Sequence, residues 1–231
     1  MIRIMCGRYS LRRVNLAASG LDAVPELPFE EFTEHPRFNI APSQSVPVVR
    51  LNKEGKRSAG LLRWGFIPRW AKEMPKVQPV NARAETAPTS GMFRDAFARR
   101  RCLVPADGFY EWRKLDAKTK QPMWMHFPDD RVFAFAGLWE RWRPGDDAEP
   151  LDTFTILTTT PNDLMTPIHN RMPVILRPAD YARWLDPATD PRDAAGLMAP
   201  YPDGELEAVP VSRTVNSPRN DVAECIEPLV S

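Results

Sequence analysis

Twenty-five prolines in 231 residues, about twice the usual frequency, constrain this chain more than any other feature. Proline locks φ and removes a backbone donor, so long helices are excluded. The prolines do not gather into one low-complexity tract. They punctuate short apolar runs, which is the pattern of short strands joined by rigid turns. Apolar alternation marks strands at 6–9, 102–105, 108–112, 123–127, 132–138, 154–159 and 174–176, and a hairpin pairing 46–51 with 58–64 around 52–56. One or two short helices fall within 14–32. A further helix covers 92–100 behind Ser90 as its cap, and another covers 179–185 after Pro178. No repeat and no linker divides the sequence. The expectation is one α+β, mainly β domain over 1–231, an irregular barrel or pair of sheets with a few short helices.

Bulk composition narrows the function classes. The formal charge of +1 favours no partner. Three cysteines, Cys6, Cys102 and Cys225, are too few and too scattered for a disulfide framework, and no C-x-x-C pair suggests a metal site. No run approaches about 18 uninterrupted apolar residues and nothing resembles a signal peptide. A cytoplasmic protein with no membrane partner, no metal and no cofactor is expected.

Chemistry concentrates in a handful of residues. Cys6 follows Met5, and if Met5 is the start, its removal makes Cys6 the N-terminal residue. The α-amine then has a reference pKa of about 7.7–8, and amine and thiol share one residue. Such a pair condenses with an aldehyde to an imine and closes to a thiazolidine. The plain alternative is a small apolar residue packed near a terminus. Glu111 sits between Tyr110 and Trp112. Desolvation there raises its pKa and suits a general acid or base, unless strand alternation turns it to solvent. His169, in a polar loop, is a proton carrier or a turn histidine bonded to backbone. Asn81 orients a substrate or makes an Asx-turn. Arg83 pairs with Glu85 or Glu111, or grips a phosphate. Tryptophans and arginines interleave at Arg63-Trp64, Arg69-Trp70, Trp112-Arg113 and 139–143, a combination suited to single-stranded nucleic acid if the rings are not core. Arg99-Arg100-Arg101 reads as the solvated end of a helix.

Taken together and in order, these residues carry a resemblance. Met5-Cys6-Gly7-Arg8-Tyr9, Arg37-Phe38-Asn39-Ile40-Ala41-Pro42, Arg63-Trp64-Gly65-Phe66-Ile67-Pro68, Asn81-Ala82-Arg83-Ala84-Glu85-Thr86, Gly108-Phe109-Tyr110-Glu111-Trp112 and Ile168-His169-Asn170-Arg171-Met172-Pro173 resemble the SRAP family (SOS response-associated peptidase, abasic-site processing). Val209-Pro210-Val211-Ser212 and Val215-Asn216 continue the likeness. The resemblance implies a mainly β domain crossed by a DNA groove. It implies covalent capture of abasic sites in single-stranded DNA, including single-to-double-strand junctions, by a monomer that is nucleoid-associated when bound. In that reading Cys6 is the nucleophile, Asn81 holds the adduct, Glu111 is the acid/base and His169 assists proton transfer. Arg8, Arg83 and Arg171 hold phosphates, while Trp64 with Pro42 forms a wedge against the bases. Self-removal of the residues before Cys6 and an AP-lyase side reaction belong to the same expectation. Two rivals remain: a cysteine peptidase or amidohydrolase built on Cys6, and a non-covalent single-strand binding module. Residues 1–4 depart from the family's usual start, because Ile2 after Met1 blocks simple methionine removal; residues 1–5 are expected to be absent from the active form.

Overall fold

Five strands close on one another into a barrel. β3 (Ser45–Leu51) and β4 (Arg57–Trp64) form the hairpin expected from sequence, with Val48 opposite Gly60. β3 passes to β6 (Arg101–Ala106), β6 to β9 (Phe133–Trp142), and β9 to β10 (Leu151–Thr159). β10 then lies parallel to β4 and shuts the ring. Short strands extend it: β5 (Asn81–Arg83) runs parallel to the far end of β10, β11 (Met172–Pro173) pairs there too, and β12 (Ile175–Leu176) pairs with β9. A second, open sheet has the order β13-β8-β7-β1-β2. Its strands are β1 (Tyr9–Leu11), β2 (Arg37–Ile40), β7 (Gly108–Lys114), β8 (Lys120–His126) and β13 (Glu207–Pro210). This computed structural model describes residues 7–12, 20–21, 35–145 and 148–229.

The two sheets share one core. Phe135 of the barrel packs edge-on against Tyr9, Phe109 and Phe133, with ring centroids 5.8, 6.0 and 5.2 Å away. A smaller apolar cluster lies on the other side of the open sheet, where Tyr110 and Trp124 meet Val211, Val215 and Cys225. Gly108 is required where β7 begins. A Cβ there would lie 2.2 Å from Trp124 Nε1, and that indole is held by its hydrogen bond to Ser10 Oγ.

Most expected elements are present, with shifted edges. The helix expected over 92–100 is α1 (Arg94–Arg99), because Ser90 supplies its carbonyl to the amides of Phe93 and Arg94 in a turn that precedes the helix. Residues 179–185 divide into a 3-10 turn, Pro178–Asp180, and α2 (Tyr181–Leu185). α3 (Pro191–Gly196) was not anticipated, although Asp190 caps it through Arg192 N and Pro191 opens it. Of the arginine triplet only Arg99 is a solvated helix end. Arg101 is buried and donates to the carbonyls of Phe97, Ala98, Trp184 and Asp186, and Arg100 pairs with buried Glu140 at 2.8 Å. The helices expected within 14–32 lie outside the described residues apart from 20 and 21, and so does Cys6. Among the described residues no helix is long and apolar enough to cross a membrane.

Candidate functional site

Side chains of the open sheet alternate between its two sides. Tyr110 and Trp112 join the outer cluster, whereas Phe109 belongs to the main core. Glu111 therefore shares the barrel-facing side with Phe109. It lies opposite Met123 of β8 and is only 4% exposed. The reading that turned this carboxylate to solvent does not hold. Beside it, Tyr9 pairs with Phe109, and Tyr110 N donates to Arg8 O at 3.1 Å. The arm that leads back to Cys6 thus lies against the Glu111 strand.

At the end of the barrel a second group assembles around β10. Asn81 lies beside Ile156 and Arg83 beside Thr158. Asn81 makes no Asx-turn: its Nδ2 reaches Ile156 O at 3.5 Å, and its buried Oδ1 accepts no hydrogen bond from the described residues. The Arg83 side chain is exposed and makes no hydrogen bond or ion pair with the described residues, although its carbonyl accepts from Thr86 N and Ala87 N. The expected pairing of Arg83 with Glu85 is taken instead by Arg171, whose Nη1 and Nη2 grip both Glu85 oxygens, the second at 2.8 Å. Arg171 Nη2 also donates to Thr158 O. The Arg171 hydrogen bonds, aided by the charge of Arg83, hold the Glu85 carboxyl below its ordinary value. His169 is half-buried two residues earlier. Its amide donates to Met165 O at 2.8 Å in a turn that Asn162 shapes by accepting from Met165 N and donating to Tyr201 O.

Trp64 joins the two groups from inside. Its ring lies 5.3 Å from Tyr9 and 6.2 Å from Phe154, and its Nε1 donates to Val80 O at 2.9 Å, one residue before Asn81. Trp64 is 0% exposed. This corrects its assignment as a wedge, since a ring with no free face stacks on no base. Burial follows from its place on the inward side of β4. Pro42 is half-buried in the turn after β2. The ring that does face solvent is Trp70, 65% exposed, in a loop with exposed Met74 and Val77. Exposure could not be read from the sequence, where Arg63-Trp64 and Arg69-Trp70 look alike. Arg8, expected on a phosphate, is half-buried and donates to Asn39 Oδ1, Val215 O and Asn216 O.

The fold is thus a five-stranded barrel flanked by an open sheet: the sheet carries buried Glu111 beside the N-terminal arm, and the barrel's end carries Asn81, whose Oδ1 accepts nothing from the described residues, and exposed Arg83. The chain belongs to the SRAP family: the model for SOS response associated peptidase matches residues 5–218. Abasic site processing protein YoqW of Bacillus subtilis is 43% identical over 229 residues, covering 96% of this chain and 99% of that one. Abasic site processing protein YedK of Escherichia coli is 30% identical, covering 97% of this chain and all of that one. The fold matches a crystal structure of a protein from Bacteroides thetaiotaomicron with a TM-score of 0.86 at 23% identity, over 97% of this chain and the whole of that one.

Proposed function

We propose that this protein processes abasic sites by capturing them covalently in single-stranded DNA, with Cys6 as the N-terminal residue of the active form. Its relatives bear the name abasic site processing protein, which supports the substrate class. The observation that carries the mechanism is the burial of Glu111 on the barrel-facing side of a strand that holds the Cys6 arm. An abasic sugar is mainly a closed hemiacetal, so a proton must move before attack. Glu111 moves it, a role its burial supports by favouring proton uptake. The Cys6 α-amine then adds to the aldehyde carbon and water leaves, giving an imine. The Cys6 sulfur adds to the imine carbon, nitrogen takes a proton, and a thiazolidine results. His169 assists the proton transfers, and Asn81 Oδ1, lacking a donor among the described residues, accepts from the adduct. Arg83 takes a phosphate. Trp70, with Pro42, meets the bases at a single-to-double-strand junction. If sulfur does not capture the imine, loss of the 3′ phosphate gives the lyase side reaction.

Intact-mass analysis with and without an abasic oligonucleotide tests the proposal. The expected result is a protein starting at Cys6 that gains the mass of the DNA less one water. Cys6→Ala keeps the amine, so borohydride should trap its imine, but no stable adduct should form. Repeated turnover of a peptide, or a full-rate crosslink by protein retaining Met5, would sink the assignment. Unchanged function in Cys6→Ala would leave only the non-covalent binding module.

A further inference from the structure

Arg8 is surrounded by acceptors that belong to the protein itself. Its Nη1 donates to Asn39 Oδ1 at 3.0 Å and to Val215 O at 2.6 Å, and its Nη2 to Asn216 O at 3.2 Å. The guanidinium carbon stands 5.9 Å from the Trp112 ring centroid, and Trp112 Nε1 in turn holds Asn216 Oδ1 at 2.7 Å. Val215 and Asn216 end a 3-10 turn, Arg213–Asn216, in the C-terminal segment. That segment is tied down along its length. Asn39 Nδ2 donates to the carbonyls of Val215, Ser217 and Asn220 at 3.2, 3.0 and 2.7 Å. Asp221 Oδ1 accepts from Phe38 N and Asn39 N at 2.6 and 2.9 Å and pairs with Arg37 through Oδ2. The segment thus straps the edge of the open sheet, and Arg8 is where the strap meets the N-terminal arm.

A guanidinium offers five N–H groups in a fixed fork. Three are spent here on neutral protein oxygens more than 200 residues away in sequence, or on Asn39. A phosphate ligand would keep its fork for the phosphate, as exposed Arg83 does. Cys6 lies two residues before Arg8, within about 7 Å of chain. We propose that Arg8 is a positioning residue: it fastens the arm to the C-terminal strap and thereby sets where Cys6 presents its amine and thiol. This rests on the crosslinking function proposed above. Catalytic geometry is steep, since a misplacement of about 1 Å can cost about 10²-fold in rate.

The test compares Arg8→Lys, Arg8→Gln and Asp221→Asn with the wild type. Single-turnover crosslinking is measured against DNA concentration, and affinity for DNA carrying an unreactive tetrahydrofuran abasic analogue is measured across a salt series. Positioning predicts that both Arg8 variants lose about 10-fold or more in maximal rate. Their affinity should stay within about twofold and the salt slope should not change, because no phosphate contact is lost. Lysine should not rescue, because a point charge cannot span three acceptors. Asp221→Asn loosens the strap without touching Arg8, so it should slow the same step. Combined with Arg8→Gln it should add less than its own effect. A phosphate ligand predicts the reverse: rescue by lysine, weaker binding by Arg8→Gln and a salt slope reduced by about one. That outcome overturns the proposal, as does a wild-type rate in Asp221→Asn. If Arg8→Gln fails to fold by its urea midpoint, the Lys and Asp221 arms decide. Absence of any adduct in the wild type would instead refute the crosslinking function.

Discussion

The barrel and the open sheet hold together by different means. In the barrel, hydrogen bonding closes on itself and the interior is Phe135, Phe154, Trp64, Val48 and Ile156, all fully buried. In the open sheet, β1 is three residues long and depends on side-chain bonds. Ser10 Oγ donates to Asp107 Oδ1 at 2.6 Å, Arg12 N and Nε donate to Asp107 Oδ2 at 2.6 and 3.0 Å, and Arg8 holds the C-terminal strap. Apolar packing tolerates small errors of register, whereas a fork of hydrogen bonds does not. The residues that lead toward Cys6 are therefore held by polar contacts, to Asp107 and to the C-terminal strap, more than by apolar packing.

Cutting the barrel should have the largest effect on stability. Phe135→Ala removes the ring that touches Tyr9, Phe109 and Phe133 and should cost about 3–5 kcal/mol. Chemical denaturation should show it, and hydrogen exchange should accelerate in both sheets. Asp107→Ala attacks the other side. It leaves Ser10 Oγ and the Arg12 guanidinium short of a buried partner and should cost about 3 kcal/mol. Its exchange should accelerate in β1, β2, β7 and β8 while β3, β6 and β9 stay protected. Uniform acceleration in Asp107→Ala would show that the two regions open as one unit and that the contrast between them is only static.

How far the sequence foretold each region follows from the same contrast. The barrel's hairpin was legible because β3 and β4 alternate around Asn52 and Gly55 with ordinary turn chemistry. β5 and β13 were not anticipated: three or four residues carry no period, and their pairing with β10 and β8 comes from tertiary context. Among site residues, Glu111 could be singled out by its aromatic neighbours, but which side of the sheet it faces needed the register with Met123. Trp64 and Trp70 shared a motif context and differ only in burial. The partners of Arg8 and Arg171 lie 13 to 208 residues away, and no local pattern announces them.

Trp64 tests whether the two regions communicate. Trp64→Phe keeps an aromatic core residue and removes the N–H that holds Val80 O. Val80 O retains its bond from Ile156 N at 3.1 Å, so no acceptor is stranded and the stability loss should be about 1 kcal/mol. The site should respond more than the fold. Asn81 follows Val80 directly, and a loosened β5 should reduce the crosslinking rate several-fold while DNA affinity holds. A rate that falls only as far as stability does would place Trp64 in the core with no effect on the site.

The smallest expected effect separates charge from geometry at the barrel's end. Arg171 holds the folded-state Glu85 carboxyl below its ordinary value. A depressed acid stabilises the fold above the unfolded pKa, about 4.3, and loses that contribution as pH falls through the folded value. Glu85 is largely exposed and screened, so the contribution at neutral pH should be a few tenths of a kcal/mol, below about 1. Glu85→Gln should therefore melt slightly lower than the wild type at pH 7, with the gap closing toward pH 3 and shrinking in high salt. Freed from Glu85, Arg171 keeps its bond to Thr158 O but gains an uncompensated charge beside exposed Arg83. DNA binding by Glu85→Gln should thus tighten slightly and depend more steeply on salt, the opposite of what Arg83→Ala should do. Equal salt slopes in Glu85→Gln and wild type would show that Arg171 stays turned to the protein whether or not its carboxylate is present. Arg83 would then be the one cation among the described residues at this end of the barrel whose removal should change the salt slope.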